Sequence, residues 1–369
     1  MSRLLKTLAA GLLTALAIAP AAAQDKVVNV YNWSDYIDES VLEEFTKETG
    51  IKVRYDVFDS NEVLETKLLG GKTGYDVVVP TGSFLQRQIQ AGVFLKLDKA
   101  KLPNLQYQWP LISDRLAVYD PGNEYAVNYM WGTTGIGMNV DKVKERLGDT
   151  PLNSWDIIFK PELLAKLKDC GVYILDGPEE VIPTALRYLG KDPNSKDPAD
   201  IEAAGKLLAP IRKYIKKFDS SGYINALAGG DICIALGWSG DVFQAKARAE
   251  EAAEKTGKPA INIEYVIPKE GALMWFDNFA IPKDAPHPEE ALAFINYMMK
   301  PEVAAKNANF ISYASGSLGA QQYIDKAIID NPAIYPDKET QEKLFTVTTY
   351  PQKVQRVVTR TWNDFKRGK

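Results

Sequence analysis

Short β-branched runs alternate with helix-like stretches along most of this chain. That alternation limits the fold more than any other feature, because strands separated by helices pack as an α/β architecture. Residues 27–31 form a β-branched run, followed by a helical pattern at about 39–48 that stops at Gly50. Residues 52–55 read as the next strand. Asp59 with Glu62 reads as a capping box for a helix ending at Gly70-Gly71. Residues 76–79 read as a buried strand and 84–91 as a short helix closed by Gly92. The order strand, helix, strand, helix, strand is that of a doubly wound sheet.

The stretch 129–137 combines glycine with β-branched residues and suits an extended segment crossing between two lobes. A second α/β series follows, with a strand at 172–175, a helix at 179–189, a longer amphipathic helix at 200–217, a strand at 232–236 and a helix at 241–255. Residues 263–267 and 273–281 are strand-like and return the chain to the first lobe, and helices follow at 288–299 and 301–307. The charged run 248–255 reads as a solvated helix face.

The first residues read as an export signal. Arg3 and Lys6 supply the positive start, residues 7–19 the apolar core, and Ala21-Ala22-Ala23 a small-residue cleavage site. The apolar run is too short to span a bilayer and ends at Pro20. No cysteine stands at the cleavage site for lipid attachment, so the expected product is an exported, soluble protein beginning at Gln24. Two of the 44 Lys+Arg and none of the 48 Asp+Glu lie in residues 1–23, which leaves 42 against 48, a net charge of −6. That balance disfavours nucleic acid as a partner and suits a cationic one. The remaining 346 of 369 residues are long for one core, so two domains are expected.

Cys170 and Cys233 are the only thiols and there is a single histidine. In an exported protein an even pair of cysteines is most simply a disulfide, the alternative being two small hydrophobes buried as free thiols. Two cysteines and one histidine build no common zinc site without recruiting carboxylates, and no metal or cofactor is expected. The scarcity of histidine also removes the commonest general base.

Aromatic–acid groups stand out against this background: Trp33-Ser34-Asp35-Tyr36, Trp238-Ser239-Gly240-Asp241 and Trp275-Phe276-Asp277. A ring face attracts an ammonium and a carboxylate accepts its hydrogen bonds, so the pattern suits holding an organic cation. Their positions add to this. Trp33 to Tyr36 follow the first strand, Thr81 and Ser83 the strand ending near Pro80, Glu180 the strand ending near Leu175, and Trp238 with Asp241 the strand ending near Leu236. Ligands of open α/β sheets bind outside the carboxyl ends of strands. Each residue also has a plainer reading. Asp35, Glu180 and Asp241 suit helix first turns, and Trp109, Trp131, Trp155 and Trp362 read as core. Asp277 is harder to place in a core, since Trp275, Phe276 and Phe279 surround it and a buried acid needs a cation or hydrogen-bond donors.

Several longer segments make the chain recognisable. Tyr-Asn-Trp-Ser-Asp-Tyr-Ile at 31–37, Val-Val-Pro-Thr-Gly-Ser-Phe at 78–84, Met-Trp-Gly-Thr-Thr-Gly-Ile-Gly at 130–137, Gly-Asp-Ile-Cys-Ile-Ala-Leu-Gly-Trp-Ser-Gly-Asp at 230–241 and Trp-Phe-Asp-Asn-Phe-Ala-Ile-Pro at 275–282 resemble the periplasmic polyamine-binding proteins of ABC transporters. The similarity runs from about residue 27 to the end and is strongest to the putrescine-type receptors. It implies a two-lobed periplasmic binding protein fold of type II character, each lobe a mixed sheet flanked by helices, with a hinged ligand cleft. The expected lobes are 24–133 with 274–322, and 134–273 with 323–369.

The resemblance also implies ligand-binding roles for Trp33, Ser34, Asp35, Tyr36, Thr81, Ser83, Glu180, Trp238, Asp241, Trp275, Asp277 and Tyr313, and a Cys170–Cys233 disulfide. Its implied partners are a polyamine and an inner-membrane ABC permease, with the receptor a monomer. Trp275 stands where putrescine-type members tend to carry phenylalanine and spermidine-type members tryptophan. Asp35, Ser83 and Gly177 look putrescine-like. Chain order suggests Asp277 with Asp35 at one end of the ligand and Asp241 with Glu180 at the other. The alternatives are a spermidine-preferring receptor and a periplasmic hydrolase using paired carboxylates, which also lines its cleft with aromatics. A metal or anion receptor on the same architecture is a third reading; anion sites want arginines and bare helix N-termini, whereas the candidate cleft residues are acids.

Overall fold

Among the described residues, 26–369 of the computed structural model, ten strands join in one continuous sheet. The export signal expected at 1–23 lies outside the described residues. The strands are β1 (Val27–Trp33), β2 (Lys52–Phe58), β3 (Val77–Val78), β4 (Ala126–Asn139), β5 (Val172–Ile174), β6 (Lys217–Phe218), β7 (Ile234–Trp238), β8 (Ile263–Val266), β9 (Leu273–Ala280) and β10 (Ala314–Ser315). Their order is β2-β1-β3-β9-β4-β7-β5-β6, with β8 and β10 also paired to β4.

Two parallel groups sit at the ends of this sheet. β2, β1 and β3 run parallel, as do β7, β5 and β6, and the antiparallel pair β9 and β4 bridges them. Each group has its own hydrophobic core. The first gathers Val28 and Val30 of β1, Val77 and Val78 of β3, and apolar residues of the helices Pro288–Met298 and Pro301–Ile311. The second gathers Val172, Ile174, Ile234 and Leu236 with the helices Pro178–Tyr188, Pro198–Leu208 and Gln352–Arg367. All fourteen residues of β4 are buried; it gives Met130 to the first core and Ile136 and Met138 to the second. The glycine-rich stretch at 129–137 is thus the middle of a strand that crosses between the lobes.

Three local expectations need correction. The helix after β2 is Asn61–Gly70 and its cap is Ser60, whose hydroxyl accepts from the Val63 N–H at 3.3 Å; Asp59 and Glu62 form no capping box. The single helix expected at 200–217 is instead the helix Pro198–Leu208, a 3-10 turn Ala209–Tyr214 and then β6. Pro210 has no N–H to donate and its ring crowds the preceding turn, which breaks the helix there. The strand expected at 232–236 starts two residues later, at Ile234, in register with Val172. The C-terminal helix Gln352–Arg367, unread in the sequence, seats Val354, Val358, Trp362 and Phe365 in the second core.

Cys170 and Cys233 are joined, with their Cα atoms 5.5 Å apart. They stand just before the paired strands β5 and β7, and the Cys233 N–H donates to the Gly171 carbonyl at 3.0 Å. The bridge closes a loop of 63 residues in the unfolded chain, a constraint worth about 2–4 kcal/mol. The double variant Cys170→Ala/Cys233→Ala is therefore expected to melt several degrees lower. Its ligand affinity should change little, because the bridge lies at the amino ends of strands whose carboxyl ends face the cleft. An unchanged melting temperature would contradict the stabilising role.

Candidate functional site

The carboxyl ends of all six parallel strands open into one cavity. Trp33, Ser34 and Tyr36 come from the end of β1, Phe58, Asp59 and Asn61 from β2, and Thr81 from just after β3. From the other lobe, Glu180 lies in the first turn of the helix after β5, Ser220 and Ser221 follow β6, and Trp238 and Asp241 stand at the end of β7. Trp275 and Asp277, two apart on β9 and so on one face of it, complete the lining with Tyr313 and Ile224.

The chemistry of the cavity is set by three carboxylates. Asp277 and Asp241 are buried, 4% and 5% exposed, and Glu180 is partly buried. Asp277 accepts from the Tyr36 hydroxyl at 2.8 Å and from the Thr81 hydroxyl at 2.6 Å. Thr81 is held in turn by Asn61, whose amide donates to its Oγ1 at 3.0 Å and accepts from its N–H at 3.1 Å. Asp241 accepts from Tyr313 at 2.6 Å and from Tyr223 at 2.9 Å. Glu180 accepts from the Thr134 hydroxyl and is hydrogen-bonded by the Trp238 side chain.

All these donors are neutral. Among the described residues no lysine or arginine forms an ion pair with any of the three acids. Burial pushes the carboxyls of Asp277, Asp241 and Glu180 each up to about 7, against the pull of their hydrogen bonds. They also raise one another, since the charge of Asp241 acts on Asp277 and that of Asp277 on Glu180. Such a cavity favours a bound cation, which would supply the charge that the protein's own donors do not.

Aromatic rings fill the space between the acids. Trp33 meets Trp238 edge to face at 5.6 Å, so a ring from each lobe closes one side. Tyr313 packs edgewise on Trp275 at 5.4 Å and on Tyr36 at 5.1 Å. The Trp33 indole N–H donates to the Val79 carbonyl at 2.9 Å, which fixes the ring. Two glycines make this packing possible. A Cβ at Gly240 would lie 2.3 Å from the Tyr313 ring, and one at Gly132 would lie 2.8 Å from Trp275.

Ten of the twelve expected residues line the cavity; Asp35 and Ser83 do not. Asp35 adopts a left-handed backbone, φ 54°, which aspartate tolerates better than most residues. Its carboxylate receives Arg248 Nη2 at 2.6 Å, and its carbonyl accepts from Gln244 Nε2 at 3.2 Å, both contacts from the helix Ser239–Thr256 of the second lobe. The cavity acid that feels its charge is Asp241. The expected grouping of Asp35 with Asp277 is therefore not the one the structure brings together. Ser83 sits in the first turn of the helix Gly82–Gln90 and faces an adjoining recess with Phe84, Glu179 and Val347.

The chain matches the family model described as bacterial extracellular solute-binding protein over residues 40–336. It belongs to that family. It is 54% identical over 349 residues to the putrescine-binding periplasmic protein SpuD of Pseudomonas aeruginosa, covering 94% of each chain. It is 51% identical over 367 residues to the putrescine-binding periplasmic protein PotF of Escherichia coli, covering 99% of this chain and 98% of that one. A solved structure titled a putative spermidine/putrescine ABC transporter from Listeria monocytogenes superposes with a TM-score of 0.81 at 33% identity, over 93% of this chain and all of that one. The two-lobed binding-protein architecture is thus shared with proteins that carry solutes.

Within this solute-binding fold, sequence reasoning missed Phe58, Asp59, Asn61, Ser220, Ser221 and Ile224 on the cavity wall, and Thr134 and Tyr223 behind it. Asp59 and Asn61 follow the end of β2, so the strand-end rule that picked out Trp33 and Trp238 would have found them. Ser220 and Ser221 follow β6, which begins at the last residue of an expected helix and was not read as a strand.

The raised carboxyls fix how the ligand-free protein responds to pH. Between about pH 4 and about pH 7 the folded state holds protons that the unfolded chain has released, so stability falls as pH rises through this window and levels off above it. Asp277→Asn removes one such acid while keeping its shape. Urea melts at pH 5 and pH 8 should show a larger loss for the wild type than for Asp277→Asn, by an amount on the order of a few kcal/mol. Equal losses in the two proteins would contradict the raised acid.

Proposed function

We propose that this protein is a periplasmic receptor that captures putrescine, or a close polyamine, between its lobes and delivers it to an ABC-type permease of the inner membrane. The observation that carries this reading is the trio Asp277, Asp241 and Glu180 in one aromatic-lined cavity, each held only by neutral donors. A diammonium ligand supplies two positive charges on an apolar stem. The stem would lie against Trp33, Trp238, Trp275, Tyr36 and Tyr313, where cation–π contacts add about 0.5–2 kcal/mol each when desolvated. Ser34 and Thr81 offer further polar contacts. The names of its relatives, putrescine-binding and spermidine/putrescine-binding periplasmic proteins, support the same ligand class. They are binding proteins, and they leave the hydrolase alternative without support.

Closure is part of the proposal. We place the lobes at 24–133 with 274–322 and at 134–273 with 323–369, turning about β4 and β9. Contacts of the first lobe with the second, among them Tyr313 on Asp241, Arg248 on Asp35 and Arg87 on Glu179 at 3.7 Å, would form as they shut. Cleavage after Ala23 and a monomeric receptor complete the reading; intact mass and light scattering of the exported protein test them.

Calorimetric titration with putrescine, cadaverine, agmatine, spermidine and spermine tests the ligand class. Putrescine is expected to bind and to raise the melting temperature, since a ligand of the native state stabilises it. Asp277→Asn should weaken it by about 1.5–3 kcal/mol, roughly ten- to a hundredfold. Affinity should also rise from pH 6 to pH 8, because a cation prefers the ionised acids. No heat and no thermal shift with any of the five amines would overturn the reading.

A further inference from the structure

Thr134 is fully buried at the point where β4 changes partners, opposite Leu273 of β9 on one edge and Trp238 of β7 on the other. Its hydroxyl connects two cavity residues. The Trp275 indole Nε1 donates to Thr134 Oγ1 at 3.2 Å, and Thr134 Oγ1 donates to Glu180 Oε2. An indole N–H can only donate, and a threonine hydroxyl carries one proton. While it accepts from Trp275, Thr134 has that single proton left, and it points at Glu180.

We propose that Trp275 is a positioning residue for Glu180, acting through Thr134 to aim a donor that favours the ionised carboxylate and keeps it facing the cavity, in addition to forming part of the aromatic wall. This inference rests on the polyamine reading of the cleft, and it deepens that reading by giving Trp275 a polar task that phenylalanine lacks.

The surroundings of Glu180 make the two-bond relay consequential. Asp277 on β9, Glu179 on its own helix and Glu62 on the helix Asn61–Gly70 are all acids that favour its protonated form. Tyr265 on β8 is a neutral phenol. Arg87, a cation that acts on the adjacent Glu179, is engaged by Glu65 at 2.7 Å. Against these stand the Thr134 hydroxyl and the Trp238 side chain. Breaking the link at Trp275 frees the Thr134 rotor, and removing the hydroxyl leaves one donor.

The test compares Trp275→Phe, Thr134→Val, their double variant and Thr134→Ser by putrescine titration from pH 6 to pH 8.5. Thr134→Val should bind about tenfold more weakly at pH 7, as expected for a lost bond to a charged group, and should recover as pH rises. Trp275→Phe should lose about threefold with the same pH dependence, which falls short of the whole hydroxyl bond. In the ligand-free Glu180 titration the double variant should shift no further than Thr134→Val alone, and Thr134→Ser should behave as wild type. A carboxyl-carbon titration of Glu180 in ligand-free protein, followed by NMR, should move to higher pH in Trp275→Phe. A Glu180 titration that moves further in the double variant than in Thr134→Val, or a Trp275→Phe deficit that is equal at every pH with an unmoved Glu180 titration, would overturn the relay. Failure of wild type to bind any polyamine would instead sink the ligand reading, while the ligand-free titration would still decide the relay.

Discussion

Three carboxylates withdrawn from water into one cavity are the constraint around which this structure is organised. Desolvation raises Asp277, Asp241 and Glu180 each to about 7, and each is tolerated because hydroxyl or indole donors reach it. Those donors come from widely separated parts of the chain: Tyr36 and Thr81 from the first parallel group, Tyr223 and Trp238 from the second, Thr134 from the crossing strand and Tyr313 from the helix-to-β10 turn. Supplying so many donors to one small volume requires both lobes, which is why the acids sit at their junction.

The sheet makes that convergence possible. β4 and β9 pair antiparallel through the middle and carry a parallel group on each side, so six carboxyl ends face one crevice. β9 brings Trp275 and Asp277 to the same face, and an isolated bridge between Thr81 and Asp277 sets the hydroxyl beside the acid. Near this point the β4 ladder shifts register between Asn128 and Met130, and the Asn128 amide donates to the Asp277 carbonyl at 3.0 Å. Polar backbone groups at the irregularity thereby find partners.

Much of this was legible in the sequence, and for a physical reason. Period-two runs and helix stops mark strands and helices locally, so the α/β order, the crossing stretches near 129–137 and 273–281, and the even cysteine pair could all be read. The strand-end rule then gathered Trp33, Tyr36, Thr81, Glu180, Trp238 and Asp241. What stayed hidden depends on three-dimensional context. Pro210 breaks a pattern that otherwise reads as one helix and conceals β6 with Ser220 and Ser221. A left-handed turn at Asp35 carries its carboxylate to Arg248, and nothing in the residue type announces that direction. Thr134 and Tyr223 act from behind the wall through single hydroxyls, a role no motif records.

If the cavity's acids are matched to an organic dication, its binding ionises them. Calorimetric titration of putrescine at pH 7, repeated in buffers of different ionisation enthalpy, measures the protons exchanged. Net proton release is expected at pH 7, diminishing at pH 8, because carboxyls near 7 are part-protonated before the cation arrives. Binding heat independent of the buffer at pH 7, or net proton uptake, would contradict it.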